Sequence, residues 1–163
     1  MKIAFAAFPL LLFMAVVAQA QVAGSVCYQP SARCSTSHSF ATNQLPFVIK
    51  EKLVFGKSYR SQQFYAVILK SVKIGPNADC SEVSEAERLQ AQSIWPTRKV
   101  FTSRLSCPEE LVFYEKTEQT VNFLAVYAGN SLSEARRVLN EAKAKGHPQA
   151  YIKRMRVVLD YST

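Results

Sequence analysis

The strongest constraint on what this chain can fold into is a repeated order of segments. Ser84-Glu85-Ala86-Glu87-Arg88 recurs as Ser133-Glu134-Ala135-Arg136-Arg137, 49 residues later. A short match of helix-surface residue types carries little by itself, but the surroundings match too. Each copy follows a strongly β-forming run (residues 63–72 and 121–128). Each is followed by a proline and then a basic, strand-like run (Pro96 to Arg104, and Pro148 to Arg156). The unit is strand–helix–strand, twice. Two such units predict one antiparallel sheet with both helices on one face: an α+β, ferredoxin-like (RNP-like) repeat pair.

The remaining segments attach to that frame. Leu45, Phe47, Ile49, Leu53 and Phe55 read as an extended N-terminal addition, which Gly56-Lys57-Ser58 can turn. Gly75-Pro76-Asn77-Ala78-Asp79 breaks the first core strand. Ser81 can start and cap the first helix, whose expected apolar stripe is Val83, Ala86, Leu89 and Ile94. Residues 111–116 and 121–128 flank Thr117-Glu118-Gln119-Thr120 and read as a hairpin. Ser131-Leu132-Ser133-Glu134 is a complete capping box. It opens a second helix with Leu132, Ala135, Val138, Leu139 and Ala142 buried, and Lys145-Gly146 closes that helix. Residues 150–158 read as one last strand.

Ahead of this domain, residues 1–20 have the form of a secretory signal peptide. Lys2 precedes an uncharged run that ends in Ala18-Gln19-Ala20, the small-x-small pattern a signal peptidase reads. Cleavage there leaves 143 residues, enough for one domain with a real core, and no other stretch reaches membrane length. The expected product is exported, periplasmic or secreted, without stable membrane insertion. Cys27, Cys34, Cys80 and Cys107 all lie in it. An even count in an oxidising compartment argues for two disulfides. Cys27–Cys34 and Cys80–Cys107 are the favoured pairs, because the first two stand alone in a polar, irregular segment, residues 21–44. With no C-x-x-C spacing, and with His38 and His147 far apart, a metal site is not expected. The expected product carries 19 basic and 12 acidic residues, net +7, which suits an anionic envelope component.

The second copy, Phe123-Leu124-Ala125-Val126-Tyr127-Ala128-Gly129-Asn130-Ser131, then Ser133-Glu134-Ala135, then Lys145-Gly146-His147-Pro148 into Ala150-Tyr151-Ile152, resembles the sporulation-related repeat (SPOR) domain. The first copy has Tyr65-Ala66-Val67-Ile68-Leu69-Lys70-Ser71 where that family writes Tyr-x-Val-Gln-Val-Gly-Ser. The resemblance runs from about Phe64 to Val158, within a domain spanning residues 45–163. It implies a non-catalytic module of the bacterial envelope that binds the glycan strands of peptidoglycan. The sequence departs from the family at Ile68, Lys70 and Tyr127, and residues 108–119 look inserted.

Strand parity sorts the candidate surface. Tyr65, Val67, Leu69, Leu124 and Val126 are expected under the helices. That leaves Phe64, Ala66, Ile68, Lys70, Phe123, Ala125 and Tyr127 on the far face. Such an apolar face needs a reason to stay wet. In one reading it is a docking platform: sugar rings stack on Phe64, Ile68, Phe123 and Tyr127, while Lys70, Arg104, Arg154 or Arg156 hold polar or anionic groups at its edge. In the other, the N-terminal segment folds over it and completes a core, leaving an exported protein-interaction or structural module.

Enzymatic chemistry has little support. Glycan cleavage needs two carboxylates at a set separation. The acids here are mostly helix-surface types (Glu82, Glu85, Glu87, Glu134 and Glu141), and Glu109, Glu110, Glu115 and Glu118 cluster around the expected hairpin. Neither histidine stands in a nucleophile-activating pattern, and no glycine-rich phosphate loop or cofactor motif is present. Base-stacking RNA modules share the strand order, but export argues against a nucleic-acid partner.

Overall fold

The computed structural model describes residues 23–31, 34–73, 83–103, 111–118 and 120–161. The signal peptide, Ser81, Glu82, the Gly75–Asp79 break, Arg104, Glu109, Glu110 and the Cys80–Cys107 pair lie outside them.

The described chain runs β1 (Lys57–Arg60), β2 (Phe64–Lys73), α1 (Glu85–Ile94), β3 (Val100–Thr102), β4 (Val112–Tyr114), β5 (Val121–Tyr127), α2 (Leu132–Ala144), β6 (Tyr151–Met155) and β7 (Val157–Tyr161). One antiparallel sheet has the order β3-β5-β2-β6. The strands of the two β–α–β units interleave in it, the ferredoxin-like arrangement. Val67, Leu69, Val100, Leu124 and Val126 pack against Ala91, Trp95, Ala135, Val138 and Ala142, so both helices cover one face.

A second antiparallel sheet, β1-β7-β4, covers the other face. Between the sheets lies a core built from Phe64, Ile68, Phe101, Phe123, Tyr127 and Met155 on one side and Tyr59, Val112, Tyr114, Val157 and Leu159 on the other, with Leu45, Phe47 and Ile49 closing it. The run read as one last strand therefore divides at Arg156. Met155 ends β6 in the first sheet, Val157 begins β7 in the second, and both are buried in the same core. Ser61 pins this corner: its N–H donates to Val157 O, and its Oγ accepts from Val157 N–H, both at 2.9 Å.

Four local expectations are corrected. Leu132, at the start of α2, is 41 % exposed rather than buried. Residues 111–116 do not form a hairpin with 121–128: β4 pairs with β7, because β5 already has β2 and β3 on its two edges. Gly56 ends a turn, at φ +83°, but Lys57 and Ser58 already belong to β1. The first helix is capped by Ser84, whose Oγ accepts from Glu87 N–H. Its buried positions are Arg88 and Ala91, followed by Trp95, while Ala86 and Leu89 face water.

The repeated pentapeptide is thus not equivalent in the two helices. It begins at the cap Ser84 in α1 but two residues past the cap Ser131 in α2. Two residues rotate a helix face by about 200°. Accordingly Arg88 is buried and Arg137 exposed, whereas Ala86 is exposed and Ala135 buried.

Candidate functional site

The apolar side chains expected on an open face are sealed. Phe64, Ile68, Phe123 and Tyr127 are 0, 1, 3 and 4 % exposed. Phe101 lies edge-on to Phe64 and Phe123, and Tyr114 edge-on to Phe123. Tyr28 stacks on Tyr127 at 5.1 Å. The Tyr127 phenol donates to Asn130 Oδ1 at 3.1 Å, and burial, helped by the Glu134 charge, pushes its pKa up to about 12. In this conformation the rings of Phe64 and Tyr127 are closed to a ligand. The physical reason is the second sheet, which supplies the apolar cover that water cannot.

The expected cationic partners are dispersed. A β-bulge between Ile68 and Lys70 shifts the register of β2, so Ile68 pairs with Ala125 but Lys70 with Leu124. Cross-strand partners share a face. Lys70 therefore stands on the helix side, where its Nζ lies 3.0 Å from Glu87. Arg154 pairs with Tyr65, also on the helix side, with its guanidinium 5.9 Å above that ring. Arg156 sits at the corner between the sheets, with its Nε buried.

One part of the far face remains open. Beyond the bulge, Ser71 takes the place opposite Phe123, and its small side chain leaves a cleft of about 280 Å³. Ile68 and Phe123 form the floor. Lys73 comes from the end of β2, Thr117 and Glu118 from the β4–β5 connection, and Tyr151 and Lys153 from β6. Tyr151 is 45 % exposed, and its hydroxyl lies 3.0 Å from Ser71 Oγ. The cleft thus combines one exposed aromatic ring, two ammonium groups, a carboxylate and hydroxyls. Such a set stacks on a sugar face and hydrogen-bonds its hydroxyl and anionic substituents. Lys153 belongs to the basic run read from sequence. Tyr151 and Lys153 alternate on one face of β6, and that parity was the available signal.

A second, shallower cleft is lined by Cys34, Thr36, His38, Phe40, Thr42, Gln44 and Lys99. Burial lowers the pKa of His38. Burial, with the nearby positive charge of Arg88, lowers that of Lys99, whose Nζ donates to Thr42 O at 2.7 Å. The Cys27–Cys34 disulfide is formed beside it. Among the described residues there is no cluster of His, Cys, Asp and Glu able to hold a metal ion, and no helix long and apolar enough to cross a membrane.

Neither family models, nor curated proteins, nor solved structures yield a match to this chain.

Proposed function

We propose that this is an exported, non-catalytic binding module of the bacterial periplasm. Its glycan-binding surface has retreated from the open sheet face of the SPOR pattern to the cleft around Tyr151. The Cys27–Cys34 disulfide supports an oxidising, extracytoplasmic compartment. The observation that carries the ligand class is the pairing of an exposed aromatic ring, Tyr151, with Lys73, Lys153 and Ser71 at an end of that face left uncovered among the described residues. A glycan strand of peptidoglycan offers both the apolar ring faces and the carboxylates that such a set takes.

The test is co-sedimentation with purified, amidase-treated sacculi. The expected result is enrichment well above a basic control protein of matched charge, with a loss of about tenfold or more in Tyr151→Ala/Lys153→Ala. That double variant changes only residues at the cleft rim. Equal recovery of the protein and the control removes the glycan reading.

A second reading has its own observation. The sealing of Phe64, Ile68, Phe123 and Tyr127 makes the far face a core, as in an exported protein-interaction or structural module. Failure on sacculi, together with a specific co-eluting envelope protein on size exclusion, selects it.

A further inference from the structure

The chain between the core residue Ile49 and β1 forms an outward loop whose apolar tip is left in water. Leu53 packs against the inter-sheet core, but Val54 and Phe55 are 56 and 72 % exposed. Phe55 touches only the edge of Tyr161 among the ring contacts of the described residues. The loop is held in this form. Buried Tyr59 accepts from Val54 N–H at 2.8 Å and donates to Lys52 O, Lys57 N–H donates to Val54 O, and Gly56 N–H donates to Tyr161 O. Gly56 adopts φ +83°, and a Cβ there would meet nothing within 4 Å. The exposure of two consecutive large apolar residues is therefore built in.

Cations surround the tip. Lys50 and Lys52 are exposed, and Lys57 joins the two arms through its 2.6 Å pair with Glu51. At the base of the arms a cleft of about 400 Å³ is lined by residues 23–25, 47–51 and 57–60, with Lys57 paired to Glu51 and Arg60 to Glu115. A convex apolar tip on a cationic base fits a bilayer interface better than a protein. In a bilayer, aromatic and aliphatic side chains enter the acyl boundary while ammonium groups meet phosphates.

We propose that the Lys50–Lys57 loop docks the protein onto an anionic phospholipid surface. Val54 and Phe55 enter the interface, and Lys50 and Lys52 engage lipid phosphates.

The experiment is flotation with vesicles of phosphatidylglycerol and phosphatidylcholine in equal parts, against phosphatidylcholine alone, at low and physiological salt. The expected result is binding to the anionic vesicles that weakens with salt. Val54→Ser/Phe55→Ser reduces that binding about tenfold with an unchanged circular dichroism spectrum, and Tyr151→Ala leaves it unchanged, which separates this surface from the glycan cleft. The serine variant keeps every charge, so undiminished binding by it assigns the effect to net charge and overturns the proposal. Equal recovery on neutral and anionic vesicles overturns it. So does a concentration-dependent dimer abolished by the same variant, which would give the tip to a second copy of the chain.

Discussion

Ile68 and Lys70 stand two residues apart in one strand yet face opposite sides of the sheet. Ile68 is buried between the two sheets, while Lys70 reaches Glu87 on the first helix. The bulge between them ends the apolar far face and places Ser71, not a large residue, opposite Phe123. A single inserted residue thus removes a cation from the expected ligand surface and opens the cleft beside Tyr151. Bulges bend and re-aim strands in this way.

From this placement, Lys70→Ala has no effect on recovery with sacculi. Its partly exposed pair with Glu87 contributes little, so the loss of stability is below about 1 kcal/mol. Urea denaturation and the sacculus assay, run side by side, check both halves. A selective loss of binding would return Lys70 to the ligand surface.

Phe101 is fully buried, with ring centroids of Tyr114, Phe123 and Phe64 at 5.2, 6.0 and 6.2 Å. Phe101→Ala removes the ring that joins the two sheets and leaves a cavity, costing about 3–5 kcal/mol. Phe123→Ala behaves in the same way. In thermal melts both variants lose stability first. A Phe123 variant of native stability would mean that its ring is not core.

Periodicity recovered the frame because it depends on which side chains are apolar. Tyr65, Val67 and Leu69 alternate toward the helices, as do Leu124 and Val126, and the two β–α–β units build one sheet. The choice between an open and a sealed far face was undecidable from the strands alone, since Phe64 and Phe123 suit a stacking platform as well as a core. The cover comes from β1, β4 and β7, short strands whose partners are distant in sequence, joined by Leu45, Phe47 and Ile49. Phe55, read as part of the same addition, stays outside because Tyr59 holds the turn before it. The bulge at Leu69 left no mark in composition, so parity failed at Lys70. The basic run Lys153-Arg154-Arg156 looked like one patch, but it spans a strand and a corner. Only Lys153 reaches the cleft. The pentapeptide repeat pointed to the right architecture although its copies occupy different helical positions.

Gly129 links β5 to α2 at φ +93°, and a Cβ there would collide with the Glu134 carboxylate. That carboxylate is held by Arg98 at 3.1 Å. Gly129→Ala combines left-handed backbone strain with a displaced ion pair and costs about 1–3 kcal/mol. Gly129→Ala with Glu134→Ala recovers the steric part but not the backbone part. Equal destabilisation by the single and double variants in denaturant titrations would exclude the clash.

The Cys27–Cys34 disulfide closes a short loop, seven residues in sequence separation. The chain-entropy account gives it roughly 2.5 kcal/mol. Cys27 N–H donates to Pro46 O and Val48 N–H to Ser25 O, so the bridge steadies the segment that closes the core at Phe47. Cys27→Ser/Cys34→Ser lowers the unfolding midpoint accordingly. Hydrogen exchange in that variant rises first at the amides of position 27 and Val48, before it rises in β2 and β5.

His38 packs edge-on against Phe40, 5.0 Å between ring centres, and burial holds its pKa below the usual 6.5. The neutral ring is the one the fold accommodates. Below pH 6.5 the unfolded chain takes up the proton more readily than the folded one, so stability falls as pH drops through the folded-state pKa. Glu85, held low chiefly by its hydrogen bond to Arg88, contributes in a lower window, as pH falls through and below the usual carboxylate range. Denaturation midpoints between pH 7.5 and 5.0 should therefore decline in the native protein and decline less in His38→Gln, which keeps a polar group without the titration. Parallel profiles for the two proteins would show that His38 is not the group responsible.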